Sequence, residues 1–536
     1  MGGMFNKTLA RRAFLAQGLS ALAGAAMADA PLTALRPTAR PAALPPGRPG
    51  KRLRARPSPE EFVTDARLGG DVAYVLADAR TGQVIQSRLP ETPMPPASVT
   101  KSVTALYALD ALGPAHQFRT RVMASAPVAD GVLDGDLILL GGGDPVLDTE
   151  ALAALAATVK ETGLREVRGR FLVDAGLLPR LREIDPGQLP HLGYNPAVSG
   201  LNLNFNRVHF QWTPQGGSYA VTMDARTENY RPAVRVSRMR VVDRSLPVYT
   251  YEDGGAYDQW TVARGALGGG GTRWLPVRQP ELYAGEVFQT LMRAHGIVLD
   301  APALGTAPGG SVEIAGHASP PLAEIIRGML LYSTNLTAEV IGLAATAARG
   351  LTTGSLASSA AVMSDWLSVE FGVTPVFADH SGLSDASRIT VADMTRILTR
   401  PGTQARLEPL LKSITLRDVE GTPLADPPAE VLAKTGTLNF VSALSGYLRN
   451  TGGSNLAFTI FTGNLDRRAD VAGSGDDIPP GASAWNGRSK RMQQRLLQHW
   501  AAISPADSEA FETAQGSSAG IDAPEAGNPS LFEVVD

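Results

Sequence analysis

The chain contains no cysteine. That excludes disulfides, thiolate nucleophiles and cysteine-bound metals, and it suits export, where stray thiols would be oxidised. Seven scattered histidines, none in a ligand spacing, argue against zinc, and no cofactor is expected. Net charge is only −3 over 536 residues, so nucleic acid is not expected as a partner. Lysine is scarce: seven lysines stand against 42 arginines. In a chain that builds its ordinary positive charge from arginine, a lysine stands out, because only lysine can lose its proton and act as a base.

What is present is ordinary for a soluble globular protein, 44% hydrophobic and 19% charged, at a length that suits two or three domains. Residues 1–28 read as an export signal. Arg11-Arg12-Ala13-Phe14-Leu15 precedes an apolar run to Met27 that is too short for an anchor, no acidic residue occurs before Asp29, and Ala26-Met27-Ala28 and Ala28-Asp29-Ala30 both offer cleavage sites. The paired arginines resemble a twin-arginine address to the periplasm. Without residues 1–28 the net charge becomes −6. Residues 29–60 form a proline- and arginine-rich linker, and residues 504–536 an acidic tail expected to be disordered, with seven acidic residues and no lysine or arginine. The basic linker has two readings: a solvated tail, or a contact with an anionic membrane or wall surface or with the acidic tail.

Between these ends, Val72–Leu76 and Val84–Gln86 flank Thr81-Gly82 as a hairpin. Residues 121–310 read as an inserted β-rich region of one domain or two, one nested in the other. Helical periodicity follows over Leu322–Leu331, Leu336–Ala348, Leu356–Val369 and Val391–Leu398. Three strand-like runs, Glu430–Thr437, Ser442–Leu448 and Leu456–Thr462, precede an amphipathic helix at Arg488–Ile503. The fold class is therefore α/β in the α+β sense: a five-stranded antiparallel sheet flanked by helices, built discontinuously from residues 61–120 and 311–503.

Three short motifs carry the chemistry. Pro95-Pro96-Ala97-Ser98-Val99-Thr100-Lys101 reads as a turn launching an amphipathic helix. Residues three apart share a helix face, so the Lys101 amine can reach the Ser98 hydroxyl as base to nucleophile. Ser333-Thr334-Asn335 opens a second helix, and Lys434-Thr435-Gly436-Thr437 lies on a strand. Each is weak alone; the order helix start, helix start, strand gives them weight. Asp379-His380-Ser381 is not a catalytic triad, because adjacent side chains point apart. Gly141–Pro145 lacks the Gly-Lys-Ser/Thr of a phosphate loop.

Together the motifs resemble the S-x-x-K, S-D-N and K-T-G set of penicillin-recognising serine enzymes. The gap of about 230 residues between the first two resembles the D-alanyl-D-alanine carboxypeptidase/endopeptidase family, the low-molecular-mass class C penicillin-binding proteins of peptidase family S13, which carry inserted domains there. Gly141–Pro145, Asn202–Asn206, Asp379–Ser384 and Lys434–Tyr447 are similar too. Departures are Thr334 for the usual aspartate, His380 for the usual glycine, and the stretch Thr415–Ala433. The resemblance implies a penicillin-binding/β-lactamase-like transpeptidase fold and an acyl-enzyme mechanism on peptidoglycan stem peptides, with β-lactams as covalent inhibitors. Ser98 would be the nucleophile, Lys101 its base, Ser333 a proton relay, and Asn335 an orienter of Lys101 that also binds the substrate amide. Lys434, with the Thr435 and Thr437 hydroxyls, would hold the terminal carboxylate. The Ser98 and Thr437 N–H groups would form the oxyanion hole, and Gly436 would let substrate lie against the strand. Alternatives on the same scaffold are a β-lactamase or esterase, which needs a deacylating base that the sequence does not reveal, and a non-catalytic peptidoglycan-binding protein.

Overall fold

The structure, a computed structural model, describes residues 57–503. The export signal, most of the linker and the acidic tail lie outside the described residues. One antiparallel sheet organises the body, with strand order Lys412–Ser413, Ala429–Leu438, Val441–Asn450, Asn455–Gly463, Asp71–Asp78 and Val84–Arg88. It has six strands rather than the expected five. The sixth is a two-residue edge strand against Leu432 and Ala433, too short to leave a periodic trace in the sequence. The register Tyr74↔Ile460 zips the opening hairpin to the last strand, so the two ends of the body meet in one sheet.

Alternation along the strands gives the sheet two apolar faces. On one, the closing helix Ala482–Trp500 packs Trp485, Met492, Leu496 and Trp500 against Tyr74, Val431, Ala433, Leu444 and Phe458. This helix starts six residues before the expected Arg488, because Gly481 in the left-handed region lets the chain turn in there. Against the other face lies the serine helix, Thr100–Leu112, among Leu322–Tyr332, Asn335–Ala348, Leu356–Phe371 and Val391–Thr399. The serine helix is not amphipathic as the periodicity suggested: every residue from Thr100 to Leu109 is buried. It sits between the sheet and other helices, so its polar side has protein neighbours instead of water.

Residues 119–318 build four further sheets, the largest ordered Ala303–Leu304, Phe171–Asp174, Leu137–Leu140, Arg119–Ala124 and Val312–Ala318. Two helices, Thr149–Glu161 and Pro280–Ala294, pack into the same separate core.

Candidate active site

Ser98 lies in a single 3-10 turn, Ala97–Val99, that runs directly into the serine helix. It is half-buried amid buried neighbours. Ala97 holds a positive φ of 47°, an uncommon conformation for a residue with a Cβ, and its carbonyl accepts the Thr100 hydroxyl at 2.9 Å. Two glycines clamp this turn. A Cβ on Gly382, which itself has φ +72°, would stand 1.9 Å from the Ala97 carbonyl oxygen. A Cβ on Gly436 would stand 2.8 Å from the Pro96 carbonyl oxygen and 3.0 Å from the Ala97 Cβ. Gly436 therefore makes room for the nucleophile's own turn. Gly436→Ala should shift the Ser98 turn and slow second-order acylation by a labelled penicillin about 100-fold, the scale set by an ångström of misplacement at a reacting atom.

Lys101 is wholly buried. Its Nζ lies 3.0 Å from Ser98 Oγ, 2.7 Å from Asn335 Oδ1 and 2.7 Å from the Ser381 carbonyl oxygen. A neutral amine has two hydrogens and one lone pair. With its hydrogens given to Asn335 and Ser381, the lone pair faces the Ser98 hydroxyl, the arrangement a base needs. Asn335 begins its helix, and its Nδ2 donates to the Tyr194 carbonyl at 2.9 Å, so the inserted region helps to aim it. Ser333 sits at φ 58°, ψ 40°, in the left-handed region that ends the preceding helix. Its hydroxyl accepts from Lys434 Nζ at 2.9 Å, and Lys434 also donates to the Thr435 carbonyl at 2.8 Å. Ser98, Lys101 and Asn335 are thus joined in one network, and Ser333 and Lys434 in another.

Thr435 and Thr437 stand apart from these networks. They alternate with the buried Lys434 and Gly436, and Thr435 pairs with Leu444, which packs against the closing helix. Their side chains turn to the face opposite Lys434. What they offer the cleft is the main chain of a strand edge that the short Lys412–Ser413 strand leaves uncovered beyond Ala433.

The two lysines are electrostatically unequal. Burial pulls Lys101 below the usual ammonium range, while Asp379 and Glu339 pull it back up. Lys434 is pushed well down by burial and then by the Lys101 and Lys412 charges.

Residues 58–475 match the model of the D-Ala-D-Ala carboxypeptidase 3 (S13) family. The chain belongs to that family. It is accordingly a serine-type D-Ala-D-Ala carboxypeptidase of peptidoglycan, with the penicillin-binding fold. It is 28% identical over 464 residues to the D-alanyl-D-alanine carboxypeptidase of Actinomadura sp. (strain R39), covering 79% of this chain and 84% of that protein. Identity to the D-alanyl-D-alanine carboxypeptidase DacB of Haemophilus influenzae is 25% over 440 residues, covering 75% and 88%. The crystal structure of penicillin binding protein 4 (dacB) from Haemophilus influenzae superposes with a TM-score of 0.66 at 21% identity, covering 82% of this chain and all of that one, a likeness of fold.

The sequence reading of this S13 carboxypeptidase missed a buried acidic frame behind Lys101. Glu339, wholly buried, accepts the His380 and Ser381 backbone N–H groups, each at 2.9 Å. Asp379 accepts those of Gly382 and Ser384, each at 2.6 Å. These bonds fix the loop so that the Ser381 carbonyl points at Lys101. Burial pushes both carboxyls up, helped by the Asp379 charge at Glu339 and by the Asp185 charge at Asp379. One signal was available: Glu339 lies four residues after Asn335, on the same helix face, inside an otherwise apolar run. Tyr194, 141 residues before Asn335, left none.

His380 is also accounted for. Its Nε2 shares a 2.8 Å hydrogen bond with Ser359 Oγ, its carbonyl accepts the Thr104 hydroxyl at 2.6 Å, and burial pushes the imidazole down to about 3, so it stays neutral. The ring fits because residue 342 is glycine, where a Cβ would lie 2.2 Å from the His380 Cγ. Gly342→Ala should cost about 1–3 kcal/mol by overpacking. Adding His380→Gly, which empties the space, should recover most of it, as read from denaturant midpoints.

Proposed function

We propose that Ser98 is the acylated nucleophile, Lys101 its general base, Ser333 and Asn335 the groups that pass and orient protons, and Lys434 the anchor for the terminal carboxylate of a D-Ala-D-Ala stem peptide. The observation that carries this reading is the Lys101 amine, sealed from water and held 3.0 Å from the Ser98 oxygen by two fixed acceptors. An extended peptide laid along the free edge of Ala429–Leu438 adds as a strand. Its carboxylate supplies the counter-charge that Lys434 lacks. A charged Lys434 then disfavours a proton on Lys101, so binding favours the basic form of the amine. Ser98 Oγ attacks the carbonyl carbon as its proton passes to Lys101. The oxyanion is held by the Ser98 and Thr437 N–H groups, worth about 3–4 kcal/mol for each donor. Collapse breaks the peptide bond, D-alanine leaves with the proton, and water hydrolyses the ester. Asn335 keeps one amide hydrogen for the substrate carbonyl, since Nδ2 carries two and Tyr194 takes one.

A β-lactam enters the same path and stalls as the ester. Glu339 and Asp379 are buried and committed to backbone amides, so neither stands open to activate a deacylating water, which weighs against the β-lactamase reading. Incubation with a labelled penicillin and with a D-Ala-D-Ala peptide tests the proposal. Stable label plus D-alanine release is expected. Rapid loss of label would favour a β-lactamase, and no label on wild type would favour a binding protein.

The paired arginines at Arg11-Arg12 support export to the periplasm through a twin-arginine signal, and the basic linker supports contact with an anionic wall or membrane surface. Arg11→Lys with Arg12→Lys should leave the protein unexported; normal export of that variant would refute the signal assignment. Release of the enzyme from wall fractions by salt, in wild type but not after deletion of residues 46–56, tests the contact.

A further inference from the structure

On the side of the sheet away from Ser98, a cleft of about 580 Å³ runs between Ala429–Leu438 and the closing helix. The Thr435 and Thr437 side chains reach into it. Its walls are basic. Arg488, Arg491 and Arg495 recur along one face of the closing helix, Lys490 stands beside them, and Arg417 projects from the opposite loop. Only two carboxylates share the cleft, Asp65 and Asp418. Asp65 pairs with Arg495 at 3.0 Å, and Asp418 accepts the Thr422 N–H at 2.7 Å. Arg488 and Arg417 donate to backbone carbonyls, which satisfy hydrogen bonds but neutralise no charge. Five cations against two carboxylates leave a surplus of three charges around a floor that is largely apolar, with Ala443, Leu444 and Met492.

We propose that this cleft is the docking site of the acidic segment that follows the closing helix, with Asp507, Glu509 and Glu512 against the arginines. The first argument is charge. Residues 504–536 carry seven carboxylates and no lysine or arginine, so the segment offers what the cleft lacks. The second is reach. The Ile503 carbonyl is held by Asn450 Nδ2 at 2.6 Å and Ser454 Oγ at 3.0 Å, which fixes where the segment starts, at the turn end of the strand pair. From there Arg495 and Arg488 lie about 12 and 22 Å back along the helix, at 1.5 Å per residue. Asp507 and Glu512, four and nine residues on, reach up to about 13 and 30 Å when extended. The acidic residues thus match the arginines in order as the segment doubles back. Phe511, between Glu509 and Glu512, gives the apolar floor a ring to cover. A segment seated there braces the back of the strand that carries Lys434.

Hydrogen exchange on the full chain and on a chain ending at Ile503, at low salt and at 0.5 M salt, tests this. Peptides covering residues 414–421 and 486–498 should exchange several-fold faster in the truncated chain. The full chain should approach that rate in high salt, because exposed ion pairs are screened. A full-length Asp507→Asn, Glu509→Gln, Glu512→Gln variant should match the truncated chain, and a synthetic peptide of residues 504–515 added in trans should restore protection. Equal exchange in full and truncated chains overturns the proposal. So does equal affinity of both chains for vesicles containing anionic phospholipid, which would make the cleft an open surface for an external polyanion.

Discussion

Ser98→Ala should lower kcat/KM for D-alanine release by about 10⁴-fold or more and abolish covalent labelling by penicillin, the loss seen when the nucleophile is removed from a serine enzyme. The fold should survive. Ser98 is half-exposed, and its hydroxyl makes one bond, to Lys101, which keeps Asn335 and the Ser381 carbonyl. The variant should therefore unfold at the wild-type denaturant concentration and still bind stem peptide, because Lys434 and the free strand edge are untouched. Intact-mass measurement after penicillin treatment checks the chemistry, and calorimetric titration with substrate checks the binding. An adduct on the variant would place the nucleophile elsewhere.

Lys101→Met should cost about 10³-fold in acylation, within the range for removing a positioned base. It should also change the pH profile in a definite sense. Burial lowers the Lys101 pKa, so the neutral, basic fraction grows as pH rises, and acylation climbs along the acid limb. In the complex the bound carboxylate holds the Lys434 charge to higher pH, and kcat falls again only where that charge is lost. Because the lysines feel each other, both apparent values belong to the pair. Lys101→Met should erase the acid limb. A substrate capped as the terminal amide should erase the alkaline limb and keep the acid one, since it has no carboxylate to hold. Persistence of the acid limb in Lys101→Met would assign the base to another group. The variant also strips the cation from the Glu339–Asp379 frame. The Glu339 carboxyl, already raised by burial and by Asp379, then rises further and stays protonated, which lets the frame survive without its counter-ion.

Local pattern made the main sheet and the reacting groups readable, and remote contact hid the rest. The three closing strands read as successive apolar runs, so local pattern alone sets Lys434 on a strand and Ser98 at a helix start. The serine helix misled because periodicity records apolar spacing and does not show that the polar side also meets protein. Gly436 could be read as a close approach, but not as an approach of the Ser98 turn, whose neighbours are 340 residues away in the chain. Thr435 and Thr437 adjoin Lys434 in the motif, but a strand sends neighbours to opposite faces, so adjacency in sequence does not put their hydroxyls beside its amine. His380 looked like an anomaly until Gly342 supplied its space, a compensation between two elements that a single sequence does not pair.

The zipped sheet sets when in its life the enzyme becomes dangerous. Ser98 and Lys101 leave the ribosome early, but the turn that bears them is clamped by Gly382 and Gly436, and the Asp71–Asp78 strand, already paired with Val84–Arg88, finds its second partner only in Asn455–Gly463. At about 5–20 residues per second, roughly 20–70 s of synthesis separate the nucleophile from that last strand. For most of that interval the chain holds a reactive serine without the lysine strand that would give it a substrate, so it remains unarmed until nearly all of the catalytic body has been made.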